Sequence, residues 1–201
     1  MRTEPTVYIV DDDAAARQSL CALLKPMRLQ TAAFGSAREF RRAYRPTQPG
    51  CVLLDAGWPD AGDIELLKEL SAEEPHLPAI VISAHSDVPL VVRAMRAGAL
   101  NFLEKPCDEQ ELWEAVREAL RCDARNRRRF ARRRTIQRRL ARLTPGEQQV
   151  LHLLVEGDSN KSMAEALGLS VRGIEVRRAK IMQKLHAESL ADVIRTALAA
   201  R

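Results

Sequence analysis

Five polar residues in the first half of the chain each stand at or just after the end of a short apolar run: Asp11, Asp12, Asp55, Ser83 and Lys105. Short apolar runs bounded by turn residues predict buried parallel strands. In a doubly wound sheet, chemistry takes place in the crevice outside the carboxyl ends of such strands. We therefore expect these five side chains to converge at one edge of a sheet.

The residue types indicate which chemistry that edge could support. Three carboxylates cannot share a small site as bare anions, because like charges at short distance repel strongly. Oxygen ligands suit a hard cation, and Mg²⁺ typically takes one or two carboxylates, keeps waters and meets phosphate. Ser83 and Lys105 would then bond to phosphoryl oxygens. The set predicts Mg²⁺-assisted phosphoryl transfer to Asp55, although a lone aspartate is more often a helix cap, as we expect for Asp13.

The elements that would position these residues alternate along residues 1–120. Strands are expected near residues 6–11, 29–33, 51–55, 79–83 and 100–104, and helices near 13–25, 36–45, 63–71, 87–97 and from 108 onward. Alternating strands and helices predict a parallel sheet. We expect a five-stranded, doubly wound, flavodoxin-like fold in which the chain turns through Gly57, Pro59 and Gly62 after the third strand.

The charge distribution separates the two halves of the chain. Residues 1–120 carry 13 Lys and Arg against 19 Asp and Glu, a net charge of −6, whereas residues 121–201 carry 19 against 8, a net charge of +11. A basic half next to an acidic half suggests nucleic acid as a second partner. The sequence has no run of eighteen apolar residues and no signal-peptide pattern, so we expect a cytoplasmic protein without a membrane partner.

An arginine-rich segment, residues 121–142, joins two expected domains at 1–120 and 143–201. It carries eleven arginines, and neither Gly nor Pro occurs between Cys107 and Pro145. Because arginine is a good helix former, we expect one long linker helix. Its charge fits either a solvated, partly frayed linker or an additional phosphate contact, and both interpretations remain open.

The second domain is predicted to be small and all-helical. Thr144, Pro145 and Glu147 form a capping box with proline at the first helical position, and Gly157 ends that helix. Further helices are expected at 161–167, 171–185 and about 189–200. Two short helices joined by a tight turn containing glycine, the second of them basic, predict a helix-turn-helix.

The faces of the helix at 171–185 can be separated by spacing. The apolar residues are expected to face the domain core: Val171, Ile174, Ile181, Met182 and Leu185. The opposite face is expected to read base edges: Arg172, Glu175, Val176, Ala179 and Gln183. Phosphate contacts are expected from Arg177, Lys180, Lys184 and, on the preceding helix, Lys161. Arg178 lies beside the apolar stripe and is expected in an internal ion pair. A solvated helix face is the alternative for all these charges.

Taken together, these motifs resemble a known family. VDDD at residues 10–13, Asp55, Ser83 and Lys105 match the receiver-domain pattern of two-component response regulators, and VYIVDDD, HSDVP, AMRAGA and EKP resemble FixJ-type regulators of the NarL/FixJ group. The stretches LTPGEQQVL, SNKSMAEALGLS and IEVRRAKIMQKL are similar to the LuxR-type helix-turn-helix. The resemblance covers nearly the whole chain apart from the arginine-rich segment.

The resemblance implies roles for individual residues. Asp55 would be the phosphoacceptor, Asp11 and Asp12 the acidic pair, and the carbonyl of Gly57 a further metal ligand beside Asp55. Ser83 and Phe102 would act as conformational switch residues, although Phe102 could simply be a core aromatic. A cis peptide bond is implied between Lys105 and Pro106. The chain departs from the usual pattern at several positions. The glycine that follows the acceptor is Gly62, one residue earlier than usual, so Asp63 stands in the usual glycine position. In the second domain, Gly146 replaces Arg, Ser162 replaces Glu, Gly173 replaces Thr and Arg177 replaces His.

These expectations define a phosphorylation-controlled, DNA-binding transcription regulator rather than a turnover enzyme. A sensor histidine kinase would donate the phosphoryl group, with Mg²⁺ as cofactor; promoter DNA and RNA polymerase would be further partners, and phosphorylation would favour a homodimer. One alternative is an atypical receiver that regulates DNA binding without phosphorylation. The other is a Mg²⁺-dependent phosphohydrolase with Asp55 as nucleophile, which Gly57 argues against because that class has a second Asp there.

Overall fold

The computed structural model describes residues 4–55, 61–84 and 86–199, with the backbone alone at 61–63. The chain divides into two compact units, Met1–Arg128 and Arg129–Arg201. Within the described ranges, no helix is both long enough and apolar enough to cross a membrane.

The first unit is built on a five-stranded parallel sheet. Its strands are β1 (Thr6–Val10), β2 (Gln30–Phe34), β3 (Gly50–Asp55), β4 (Ala79–Ser83) and β5 (Asn101–Glu104), in the spatial order β2-β1-β3-β4-β5. β1, β3 and β4 are buried almost throughout, as parallel strands covered on both faces must be. The order is that of flavodoxin-like folds, so the predicted architecture is confirmed.

Helices cover the sheet and enclose two apolar cores. They are α1 (Ala14–Leu24, followed by a 3-10 turn at Lys25–Met27), α2 (Ala37–Ala43), α3 (Ala61–Ala72), α4 (Val88–Ala97) and α5 (Glu109–Leu140). Asp13 caps α1 by accepting a hydrogen bond from the amide of Ala15 at 2.8 Å, as expected. The peptide bond between Lys105 and Pro106 is cis, again as expected.

The start of α3 differs from the expectation. The helix begins at Ala61 rather than near residue 63, so Gly62 lies inside its first turn instead of in the preceding loop. Glycine keeps its backbone N–H and can adopt helical φ and ψ, so its cost inside a helix is conformational entropy rather than a lost hydrogen bond. Gly57 and Pro59, and with them the predicted turn after β3, lie outside the described residues.

The arginine-rich segment is helical as far as Leu140, because α5 runs unbroken for 32 residues. Within the first unit this helix is anchored by a buried ion pair. The carboxylate of Asp123 is 3% exposed and lies 2.8 Å from Nε of Arg127, and it also accepts the amide of Gly50 at 3.1 Å. Arg127 donates in turn to the carbonyls of Pro46 at 2.7 Å and Gln48 at 2.5 Å. The anchor therefore ties α5 to the amino end of β3.

The second unit is a helical domain. It contains α6 (Pro145–Glu156), α7 (Asn160–Leu167), α8 (Val171–Leu185) and α9 (Leu190–Leu198), around one apolar core. The capping box of Thr144 and Glu147 is present, Gly157 ends α6 in the left-handed conformation, and Ser159 and Ser170 cap α7 and α8. α7, the short turn and α8 form the predicted helix-turn-helix.

One residue of the predicted core face of α8 is placed differently. Ile174, Ile181 and Leu185 are buried, but Val171 is 43% exposed. It is the first residue of the helix, and helical side chains lean toward the amino terminus. The side chain of Val171 therefore lies over the turn that precedes α8, so the prediction that it faces the core was wrong.

Candidate phosphoacceptor site and nucleic-acid interface

The predicted acidic cluster forms at the carboxyl edge of the sheet. Asp11 follows β1 and Asp55 ends β3, and the neighbouring pairing of Val10 with Leu54 brings these two strand ends side by side. Ligand oxygens from Asp11, Asp12 and Asp55 all lie within 4.8 Å of one another. The adjacent pair Asp11 and Asp12 therefore forms one anionic site with Asp55, which lies more than 40 positions farther along the sequence.

Lys105 supplies the positive charge of the site. Its Nζ lies 2.7 Å from Oδ2 of Asp11 and 2.7 Å from Oδ1 of Asp55. Burial raises the pKa of Asp55, and so do the neighbouring charges of Asp11 and Asp12. The hydrogen bond from Lys105 lowers this pKa but does not outweigh them. Burial alone would lower the pKa of Lys105, but its bonds to the two carboxylates outweigh burial and raise it. The ammonium therefore stays charged where phosphoryl oxygens are expected.

Asp11 is held in place by backbone contacts that the sequence reading missed. Its Oδ1 accepts the amide of Asp13 at 2.8 Å, while Nη1 of Arg17 donates to its carbonyl at 2.6 Å. The residue is only 3% exposed. The position of Arg17 could have indicated its contact with Asp11, because Arg17 stands one turn into the helix that follows the acidic pair. These contacts fix the orientation of the buried carboxylate.

Ser83 and Phe102 occupy the two strands farther along the sheet. Ser83 is buried at the end of β4, one residue beyond Ile82, which pairs with Asp55. Its carbonyl accepts the backbone amide of Lys105 at 2.8 Å and so joins the ends of β4 and β5. Phe102 is half-buried in β5 and packs against the core. Gly57, the predicted carbonyl ligand, lies outside the described residues.

The donor set fits a hard divalent cation. The clustered ligands are carboxylate oxygens, which Mg²⁺ favours over nitrogen or sulfur donors. Each carboxylate oxygen has two lone pairs, so Asp11 can keep its bonds to Asp13 and Lys105 and still ligate. The site thus holds acidic ligands for a metal on one side and an ammonium for an anion on the other.

The expected base-reading residues of α8 lie on its exposed face. Arg172, Glu175, Val176, Ala179 and Gln183 are all exposed, and so are the expected phosphate contacts Lys180 and Lys161. Ile174, Ile181 and Leu185 anchor the opposite face in the core. The helix therefore exposes a face of polar and small apolar side chains, which can meet base edges and thymine methyl groups in a major groove.

Arg177 lies against the first turn of α6. Its Nη1 donates to the carbonyl of Gly146 at 3.2 Å, and a Cβ built on Gly146 would come within 2.4 Å of that nitrogen. A residue with a Cβ at position 146 would therefore make the end of the Arg177 side chain shift from this position. The expected phosphate contact of Arg177 stays a prediction, and the structure adds that this side chain is already oriented by α6.

Lys184 has a partner inside the second unit. Its Nζ lies 2.6 Å from Oε2 of Glu147, a carboxylate that is almost fully buried, and 3.1 Å from the carbonyl of Arg142. The hydrogen bond from Lys184 lowers the pKa of Glu147 against the opposite effect of burial. Because a buried carboxylate needs its counter-charge, Lys180 is a better candidate for phosphate contact than Lys184.

Arg178 makes an internal contact, but with a different kind of partner from the one expected. Its Nη1 donates to Oδ1 of Asn160, the first residue of α7. The expectation was an ion pair with a carboxylate, whereas the partner is a neutral amide oxygen. The contact joins α7 to α8 and therefore fixes the two helices of the helix-turn-helix.

Comparisons with known proteins match both halves of the chain. A family model described as the response regulator receiver domain matches residues 7–117, and one described as bacterial regulatory proteins, luxR family, matches residues 141–197. The transcriptional regulatory protein FixJ of Azorhizobium caulinodans is 43% identical over 194 residues, covering 96% of this chain and 92% of its own. The FixJ protein of Bradyrhizobium diazoefficiens is 38% identical over 200 residues, covering 100% of this chain and 98% of its own.

Solved structures give the same result. The low-resolution structure of the response regulator StyR has a TM-score of 0.81 and 38% identity, covering 98% of this chain and 99% of its own. Full-length FixJ from B. japonicum has a TM-score of 0.57 and 39% identity, covering 98% of each chain. The relatives thus extend over both units, the acidic edge of the sheet and the helix-turn-helix.

Proposed function

The chain belongs to the two-component response regulators that join a receiver domain to a luxR-family DNA-binding domain, and we propose that phosphorylation of Asp55 regulates it by changing its self-association. It is a phosphorylation-controlled transcriptional regulator. The phosphoryl donor is a sensor histidine kinase, and the target is promoter DNA in the cytoplasm. The observation that carries the proposal is the convergence of Asp11, Asp12, Asp55 and Lys105 at one sheet edge.

Transfer to Asp55 is a single displacement at phosphorus. A carboxylate oxygen of Asp55 forms the new bond to phosphorus, while the bond from phosphorus to the donor nitrogen or oxygen breaks and the donor keeps the electron pair. Lys105 and Ser83 hold phosphoryl oxygens, and Asp11 orients Lys105 through the 2.7 Å ion pair. Asp11, Asp12 and Asp55 would hold Mg²⁺, which supplies charge neutralisation when bound. The site residues therefore act by positioning the reacting groups for one transfer to Asp55.

The surface of α4 supports a receiver–receiver dimer. Val88, Val92 and Met95 follow helical spacing along one face and are 74%, 40% and 46% exposed. Apolar residues grouped on one exposed helix face mark an interaction surface. Ser83 and Phe102 lie on the two strands that flank this helix in sequence, so a shift of either side chain on phosphorylation would alter the α4 surface. We propose a second copy of the chain as its partner and RNA polymerase as a further partner at the promoter.

Phosphorylation is expected to tighten a monomer–dimer equilibrium, with DNA binding tightening in parallel. A complete swing from 1:99 to 99:1 requires about 5.5 kcal/mol of differential stabilisation between the two states. Sedimentation of the acetyl-phosphate-treated and untreated protein across a dilution series measures the change. Val92→Asp should keep the treated protein monomeric, whereas Lys68→Gln, which lowers the net charge by the same one unit at an exposed position of α3, should still dimerise.

Two results would favour the other functions. Equal DNA affinity and a monomer in both forms would support an atypical receiver that works without phosphorylation. Repeated release of phosphate from simple phosphate esters would support the phosphohydrolase. The chain's relatives are transcriptional regulators, and we expect no such turnover.

The face assignment on α8 predicts two kinds of DNA-binding defect. Arg172→Ala and Glu175→Ala should each cost about 1–3 kcal/mol on the preferred site and relax base preference at one position. Arg177→Ala should weaken binding to every sequence alike and flatten the salt dependence by about one unit. Binding to a randomised duplex library at several salt concentrations measures both. If all three variants lose affinity equally on every sequence, the assignment of the two faces is incorrect.

A further inference from the structure

The second half of α5 carries arginines that neither the phosphoacceptor site nor the base-reading face of α8 uses. Between Asp123 and Glu147 the sequence contains ten arginines and no acidic residue. Like charges four residues apart destabilise a helix by about 0.2–0.5 kcal/mol per pair. Charge alone cannot separate a solvated face from a binding surface, so the position and the contacts of these arginines must decide.

Three of them form what we call the arginine edge: Arg134, Arg138 and Arg142. Their four-residue spacing places them along one side of α5 and of the turn that continues it. All three are exposed, and among the described residues none of them makes a hydrogen bond or ion pair through its side chain. Arg139 differs, because its Nη1 donates to the carbonyl of Leu185 at 3.0 Å. The arginine edge is therefore positive charge that the fold itself does not neutralise.

Arg142, the last residue of the arginine edge, lies beside the carboxyl end of α8. Nζ of Lys184 donates to the carbonyl of Arg142 at 3.1 Å, and the bond from Arg139 to Leu185 ends on the last residue of α8. α8 has 15 residues and is about 22 Å long, whereas the major groove is about 12 Å wide. When α8 lies in the groove, a phosphate backbone must pass close to each end of the helix.

We propose that the arginine edge binds phosphates of duplex DNA beside the segment read by α8, as a sequence-independent extension of the interface. The inference rests on the proposed function, because it requires α8 to be seated in the groove. Docking of α8 then holds the neighbouring phosphates at high effective concentration. Each arginine that contacts a phosphate releases counterions, which makes the added affinity strongly salt-dependent.

The test is binding of the full-length protein to a mixed-sequence DNA duplex between 50 and 200 mM salt. In the double variant Arg134→Gln/Arg138→Gln, the slope of log affinity against log salt should fall by about 1.8, since each contact contributes about 0.9. The loss of affinity relative to the wild type should accordingly be about twelve times larger at 50 mM than at 200 mM. Neither side chain has a partner within residues 4–55, 61–84 and 86–199, so helix content should be unchanged.

The matched control is Arg121→Gln/Arg125→Gln. These two arginines are exposed, lie on the same helix at the same spacing and remove the same charge, but they belong to the first unit. The control should keep the wild-type slope. If the slope falls equally in both double variants, the effect comes from net charge. If the slope is unchanged in both, the arginine edge does not contact phosphate. Either result overturns the proposal. If the wild type does not bind DNA at all, the proposed function itself is wrong.

Discussion

Asp55→Asn is expected to abolish acyl-phosphate formation completely when the protein is incubated with acetyl phosphate and Mg²⁺. Asparagine keeps the shape of the side chain but removes the nucleophilic carboxylate oxygen and one of the clustered ligands. Intact mass spectrometry should show the added phosphoryl group on the wild type and none on the variant. Removing Mg²⁺ from the wild type should have the same effect.

Two further variants locate the chemistry. Asp12→Ala should slow labelling greatly without removing the phosphoacceptor, since it takes away a metal ligand only. Glu65 is an exposed carboxylate on α3, and the Glu65→Gln variant should be labelled at the wild-type rate. Undiminished labelling of Asp55→Asn would place the acceptor elsewhere and disprove the site.

Asp123→Ala is expected to destabilise the first unit by about 3–5 kcal/mol, because it leaves the guanidinium of Arg127 without its buried partner. It also removes the acceptor of the Gly50 amide at the start of β3. The matched control is Glu69→Ala, which breaks an ion pair with Arg41 whose two side chains are 46% and 38% exposed. An exposed pair should contribute no more than about 1 kcal/mol.

Tryptophan fluorescence can follow this unfolding selectively. The sequence contains two tryptophans, Trp58 and Trp113, and both belong to residues 1–128. Their emission during urea denaturation therefore reports the first unit even though the chain has two units. If Asp123→Ala and Glu69→Ala shift the midpoint by the same small amount, Asp123 and Arg127 do not form the anchor described above.

The sheet and its acidic edge were predictable because their signal is local. Apolar runs such as Val7–Val10 and Ala79–Ile82 specify buried strands on their own, and parallel strands bring their carboxyl ends to one edge. Asp11, Asp55 and Lys105 could be assigned to one site without knowing any distance. The cap residues Asp13 and Thr144 were equally accessible, since a cap depends only on residues within one turn.

Contacts between distant segments were not predictable in this way. The partners of Asp123 include Gly50, and the partner of Lys184 is Glu147, 37 residues away. Spacing along one helix cannot show whether a charged side chain meets solvent or a buried group of another element. The same limit explains Arg178, for which spacing indicated an internal contact but could not identify Asn160.

The contact between Gly146 and Arg177 matters for any exchange of α8 between relatives. Relative to the pattern that this domain resembles, Gly146 stands in place of an arginine and Arg177 in place of a histidine. A Cβ at position 146 would come within 2.4 Å of the Arg177 guanidinium, so a larger residue there would make the end of this side chain move away from the Gly146 carbonyl. A transplant of α8 into a relative should therefore carry position 146 with it if Arg177 is to keep its orientation.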